Sequence, residues 1–181
     1  LDILTKLLKS PNLASKQWVY RQYDSFVGSN TIVGPGSDAA IIRLKESDKA
    51  VAISVDCNSR YCSLDPYQGA AIAVAESSRN HAVSGATAIA LSECLNFGNP
   101  EKPEVMWQFA QTIDGMRAAC QALDVAVVSG NVSFYNETDG AGIPPTPTIA
   151  MVGILDHIEK RVTQWFKEPG DLIILLGKTL E

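Results

Sequence analysis

Between Asp65 and Gly85 the chain reads DPYQGAAIAVAESSRNHAVSG, and this stretch restricts the fold more than any other. Asp65 offers a side-chain acceptor for the free N–H groups of a first helical turn, and Pro66 suits the first helical position. Gly85 is a suitable stop, so the spacing predicts a helix running to about Ser84. Its small residues, Gly69, Ala70, Ala71, Ala73 and Ala75, let such a helix lie close against a sheet.

Apolar runs on either side supply that sheet. Residues 39–44 and 49–56 are separated by the polar stretch 45–48 and predict strand, turn and strand. Residues 87–94 predict a strand, 103–123 a second long helix, 125–128 a buried strand, and 148–155 a further strand. The alternation implies an α/β or α+β sandwich with helices on one face. Residues 1–10 predict a short amphipathic helix ending at Ser10-Pro11, and 18–27 a helix or irregular lead-in. Residues 156–168 predict a connector, and DLIILLG at 171–177 predicts a new buried strand that starts another domain. The expected divisions are therefore 1–30, 31–156 and 157–181.

The composition excludes several classes. The 181 residues are 46% hydrophobic and 19% charged, which suits a packed globular domain. No apolar run reaches the roughly 18 residues of a membrane span, and the first ten residues lack the pattern of a signal peptide. A net charge of −5 argues against a broad nucleic-acid surface, which needs clustered Lys and Arg. Cys57, Cys62, Cys94 and Cys120 follow no metal-ligand spacing and read as reduced thiols, so a cytosolic location is expected.

Three polar or glycine-bearing stretches follow apolar strands, where layered folds place ligands: SVDCNSRY (54–61), SECLNFGNP (92–100) and SGNVSFYNE (129–137). Asp56, Glu93 and Asn131 carry the oxygens that Mg²⁺ prefers. Gly130 admits close approach of backbone to a ligand, and Ser133 offers a hydroxyl. The same residue types equally fit a solvated strand-end acid at Glu93 and ordinary turn residues at Asn131 and Ser133. The loop GPGSD (34–38) has neither Walker nor Rossmann spacing and reads as a tight turn. His81 and His157 have no nucleophile or acid at a suggestive spacing and read as structural or surface residues.

VGPGSDAA, SVDCNSRY, DPYQGAAIAVAE, LNFGNPEKPEVMWQF, SGNVSFYNETDG and PTPTIAMVG together resemble formylglycinamidine ribonucleotide synthetase over about residues 18–177. The synthetase chain of that family has two pseudo-symmetric halves, each similar to aminoimidazole ribonucleotide synthetase. The first half carries a Ser-His-x-His-like catalytic segment. Here the corresponding residues are Ser54-Val55-Asp56-Cys57-Asn58, without histidine, so the chain resembles the second half. The fold implied is α+β: an aminoimidazole-ribonucleotide-synthetase N-terminal-like domain, a mixed sheet packed on helices, with the start of a following α/β domain.

The resemblance also implies a function. ATP and Mg²⁺ activate the amide oxygen of formylglycinamide ribonucleotide, and glutamine-derived ammonia displaces it to give the amidine, a carbon–nitrogen ligation of purine synthesis. By the motif match, Glu93 and Gly130 contact ATP, Asn131 coordinates Mg²⁺ and Ser133 contacts formylglycinamide ribonucleotide. No catalytic residue is expected in this half. Where the family often has Asp, this chain has Glu93. The partners implied are the first half, a glutaminase subunit and a small bridging subunit, with self-association of this domain expected when the first half is missing. An alternative is a non-catalytic assembly module that holds an auxiliary nucleotide. Asn80, where the catalytic half resembles aspartate, favours that alternative.

Overall fold

The computed structural model describes residues 1–177. Its centre is a six-stranded sheet in the order β1-β2-β3-β8-β4-β5. The strands are β1 (Thr31–Val33), β2 (Ala40–Arg43), β3 (Ala50–Asp56), β4 (Thr87–Asn96), β5 (Ala126–Ser133) and β8 (Thr146–Leu155). All neighbours are antiparallel except β4 and β5. A separate small hairpin joins β6 (Glu137–Thr138) to β7 (Ala141–Gly142).

Two long helices, α4 (Pro66–Val83) and α5 (Pro103–Leu123), cover one face of the sheet. Asp65 caps α4, its carboxylate accepting from the Gln68 N–H at 2.9 Å, with Pro66 in the first turn. The strand β8 alternates buried and half-buried residues along its whole length, as a strand with one face on a core must. Leu91, Leu95, Ile149 and Met151 meet Ala70, Ala73 and Val74 of α4 and Val105, Met116 and Cys120 of α5 in the main core. Close packing here depends on glycine. A Cβ on Gly115 would lie 2.8 Å from the Tyr67 carbonyl carbon, and one on Gly69 would lie 2.5 Å from Cys62 N.

A helix α3 (Ser59–Leu64) follows β3, in a stretch with no expected helical period. Asn58 starts it by accepting from the Arg60 and Tyr61 N–H groups, a cap concealed within a polar stretch. Residues 1–30 hold α1 (Asp2–Lys9) and the short α2 (Gln17–Tyr20), neither with a buried residue.

One expectation is corrected. The segment predicted as a buried strand at 125–128 is part of β5, which starts at Ala126 and is exposed almost throughout. It is the outermost strand, and of residues 125–128 only Val125, just before β5, is buried. The run at 171–177 forms no strand, and Leu172, Ile173, Ile174, Leu175 and Leu176 are exposed. A strand exists only by pairing, and this run finds no partner among the described residues. No helix among them is long and apolar enough to cross a membrane.

His81 is fully buried inside α4, its Nδ1 2.9 Å from the Ser77 carbonyl and its Nε2 3.1 Å from the Ala52 carbonyl. It ties the helix to β3, the structural role expected of it. Close by, Asp56 at the end of β3 accepts from Ser77 Oγ at 2.5 Å and from Asn80 Nδ2 at 3.0 and 3.2 Å.

Candidate functional site at the exposed edge of the sheet

The parallel pair β4–β5 brings the two most unusual sequence stretches together. Phe97, just past β4, donates its N–H to the Ser133 carbonyl at 3.0 Å. Asn136 Nδ2 then donates to both the Phe97 and Ser133 carbonyls at 3.0 Å, closing the two strand ends into one unit. Lys102 pairs with Glu137 at 2.6 Å, and this pairing holds the Glu137 carboxyl below its ordinary range. The rings of Phe97, Phe109 and Phe134 pack beneath at centroid separations of 5.3 to 6.1 Å. Gly98 lets the hairpin approach, since a Cβ there would lie 3.3 Å from Gly142 Cα. LNFGNPEKPE and SGNVSFYNET are thus two sides of one clamp at the carboxyl ends of parallel strands, where layered folds hold ligands.

The register divides the four candidate residues between two faces. Glu93 pairs with Gly130, Cys94 with Asn131, and Asn96 with Ser133. Side chains alternate along a strand, so Glu93 and Gly130 lie on the helical face with Leu91 and Leu95, while Asn131 and Ser133 lie on the opposite, open face. A bulge sets this arrangement: Leu91 pairs with Val127 but Ser92 with Ser129, leaving Val128 as the extra residue. On the open face Ser129 Oγ donates to Ser92 Oγ at 2.8 Å. Asn131 is exposed, and its amide has no hydrogen bond among the described residues.

The helical face has a different character. The Glu93 carboxylate rests directly over Gly130, in the space a side chain at 130 would occupy: a Cβ there would overlap Oε2, Cδ and Oε1. Oε2 is buried and has no hydrogen-bond partner among the described residues. Beside it a cavity of about 490 Å³ opens between α5 and the start of β5, with Ile89, Ile113, Met116 and Val127 among its walls. These apolar wall residues were not among the sequence-predicted site residues, because only the packing of α5 against β4 and β5 brings them together. Asn136 and the Lys102–Glu137 pair were also missed; each is remote in sequence from what it holds. Asp56, considered above as a magnesium ligand, instead has both oxygens engaged by α4.

Cys57, Cys62, Cys94 and Cys120 are all free, and burial pushes the Cys62 thiol up to about 11. No group of three or more His, Cys, Asp or Glu side chains is arranged around a possible metal among the described residues.

Residues 36–155 match the family described as AIR synthase related protein, N-terminal domain. The chain belongs to that family. Within it, the phosphoribosylformylglycinamidine synthase subunit PurL of Moorella thermoacetica is 58% identical over 98% of this chain and 24% of its own length. That of Alkaliphilus metalliredigens is 53% identical over 97% of this chain, again 24% of its own length. This chain therefore spans about a quarter of the curated relatives it matches. Among solved structures, PurLQS from Thermotoga maritima superposes with a TM-score of 0.76 at 34% identity, covering 82% of this chain and 25% of that one. T. maritima PurL complexed with ATP gives 0.70 at 34% identity, over 78% of this chain and 23% of that one. The fold expected from the motifs, the AIR-synthase-related N-terminal domain with a mixed sheet on helices, is the fold observed.

Proposed function

We propose that this chain is the second, histidine-lacking half of a formylglycinamidine ribonucleotide synthetase, and that its β5 edge lends ligand contacts to an active site completed by the first half. The observation that carries the reading is the clamp of LNFGNPEKPE on SGNVSFYNET, which leaves Asn131 bare at an exposed strand edge beside Gly130 and Ser133. It is supported by the similarity to PurL proteins, one of which has been solved with ATP and with FGAR. In this reading Glu93 and Gly130 contact ATP, Asn131 coordinates magnesium, and Ser133 contacts formylglycinamide ribonucleotide. The complete protein uses ATP and glutamine-derived ammonia to form formylglycinamidine ribonucleotide in cytoplasmic purine synthesis, with a glutaminase subunit and a small bridging subunit as partners. The stretch 171–177 is the first strand of a following α/β domain, paired only when that domain is present.

The residues fit magnesium in a limited way. Asn131 offers one free amide oxygen. Its neighbours on the same face, Cys94, Ser129 and Ser133, include no carboxylate. This chain therefore supplies at most one ligand, as is usual for a cation that takes phosphate oxygens and keeps several waters. When bound, magnesium offsets charge on the phosphates. The protein's own part is to hold Asn131 and Ser133 in fixed relation through the Asn136 clamp.

One observation favours a second role, assembly rather than chemistry, for the β3 end of the domain. The Asp56 oxygens are taken by Ser77 and Asn80, so the segment corresponding to the catalytic one is internally satisfied and has no free base. The two roles are compatible within one domain.

Amidine formation from formylglycinamide ribonucleotide, ATP and ammonia tests the proposal. Activity is expected when this chain is joined to a histidine-bearing half and not from this chain alone. Turnover by the isolated chain above background would overturn the two-half reading.

A further inference from the structure

The hairpin β6–β7 stands just beyond the strand end that carries Ser133, and little in the hairpin itself holds it there. Its strands are two residues each, and so short a ladder is not stable alone. Tyr135, just before it, has φ 60°, in the left-handed region. A tyrosine is strained there, and the conformation persists only where contacts on both sides impose it. One of those contacts runs back to Ser133. At the base of the hairpin the Asn136 carbonyl accepts from the Ile143 N–H at 3.0 Å, while Asn136 Nδ2 donates to the Ser133 carbonyl at 3.0 Å. A shift of the hairpin is therefore a shift of the group that holds Ser133.

The other contact is the Lys102–Glu137 pair. The Glu137 carboxylate lies where two glycines meet: a Cβ on Gly98 would be 3.8 Å from Oε1, and one on Gly142 3.7 Å. Lys102 Nζ donates to that oxygen at 2.6 Å and reaches the Gly140 carbonyl at 3.5 Å, so one ammonium grips both the first strand of the hairpin and its turn. Lys102 is a fixed point. It stands at the N-cap of α5, its carbonyl accepts from the Val105 and Met106 N–H groups, and its own N–H donates to the Asn99 carbonyl at 3.1 Å. The Glu137 side chain is only 23% exposed, which shields the pair more than an open surface would.

We propose that Lys102 and Glu137 are positioning residues for the substrate: their ion pair pins the hairpin to the start of α5 and, through Asn136, sets where the Ser133 hydroxyl meets formylglycinamide ribonucleotide. This rests on the reading of Ser133 as a contact to that substrate, and adds what fixes its place. Asn131 lies outside the latch. The ladder of β5 on β4 holds it opposite Cys94, so its position does not depend on the hairpin.

Initial-rate kinetics of the complete synthetase test it, with formylglycinamide ribonucleotide and magnesium titrated separately in Lys102→Met, Lys102→Arg, Glu137→Gln, Ser133→Ala and the double variant Lys102→Met/Ser133→Ala. Lys102→Met keeps the aliphatic stem and removes the charge. It should raise KM for formylglycinamide ribonucleotide about fivefold, the contribution of one partly shielded charged hydrogen bond, and leave the magnesium requirement unchanged. Glu137→Gln keeps the shape and an acceptor, so it should give a smaller rise in the same direction, and it carries the test if Lys102→Met loosens the fold. Lys102→Arg restores the charge and should recover most of the loss. On top of Ser133→Ala, Lys102→Met should add little, because the hydroxyl it positions is gone. A wild-type KM in both Lys102→Met and Glu137→Gln would overturn the latch. So would a rise that persists in full on top of Ser133→Ala, as a merely structural lesion would, or an equal rise in the magnesium requirement. If Ser133→Ala itself leaves KM unchanged, the substrate reading of Ser133 has failed and the latch falls with it.

Discussion

Gly130→Ala separates a site lesion from a folding lesion. The added methyl would occupy the volume of the Glu93 carboxylate, overlapping three of its atoms, so the nearest oxygen must move by about 2.5–3 Å to reach ordinary contact near 3.5–4 Å. The backbone raises no objection, because Gly130 is not among the positive-φ residues and β5 is exposed there. Alanine in a strand gains about 0.5–1 kcal/mol over glycine. Displacing Glu93 from its preferred torsions costs about 0.5–1.5 kcal/mol, and freeing its unpartnered buried oxygen returns a comparable amount. The displacement cost and the returned desolvation offset one another, leaving a gain of about 0.5–1 kcal/mol, so Tm should stay within about 4 °C of wild type. ATP affinity of the complete synthetase should nonetheless fall about tenfold, since the carboxylate proposed to contact ATP has been pushed aside. Differential scanning fluorimetry and calorimetric ATP titration measure the two quantities. The same substitution made in Glu93→Ala should have little further effect, because there is then no carboxylate to displace. A large fall in Tm with ATP affinity intact, or an equal loss of affinity in the Glu93→Ala background, would refute the reasoning.

Phe97 is fully buried with its ring against Phe109 and Phe134, so Phe97→Ala should destabilise the domain by about 3–5 kcal/mol. A urea midpoint close to wild type would contradict the clamp's packing. Iodoacetamide near pH 8 should modify exposed Cys94 first and spare Cys62, whose burial pushes its thiol up to about 11, and buried Cys120, whose thiol is also raised. Peptide mapping that found Cys62 labelled before Cys94 would contradict the packing of α3 against α4.

Elements with local punctuation were legible in the sequence. Pro103 and the residues to Leu123 bound α5, and Asp65-Pro66 opens α4, because caps and proline act within a single turn. What was not legible depends on partners remote in the chain. The strand containing 125–128 was found, but its exposure was not, since burial depends on where β5 falls in the sheet order. The apolar run at 171–177 has strand composition and no strand, because pairing is not a property of the run itself. At the candidate site, residue types alone left Asp56, Glu93, Asn131 and Ser133 open to ordinary strand-end and turn roles, and only the family resemblance implied Glu93, Gly130, Asn131 and Ser133 as a set. Their division between two faces depends on the bulge at Val128, one residue whose removal from the register would put Ser129 opposite Glu93.

The most direct test of the claim that this β5 edge serves a magnesium–nucleotide site is a magnesium titration of turnover in the complete synthetase carrying Asn131→Ala. Asn131 is exposed and its amide holds no other group among the described residues, so the fold should survive its loss. Removing one ligand from a cation that keeps several waters should raise the magnesium requirement, while misplaced phosphates lower the rate by as much as about a hundredfold. Ser133→Ala in parallel should raise the requirement for formylglycinamide ribonucleotide and leave the magnesium dependence nearly unchanged. Normal turnover of Asn131→Ala at low magnesium would contradict the account and leave Asn131 as an ordinary residue of an exposed strand.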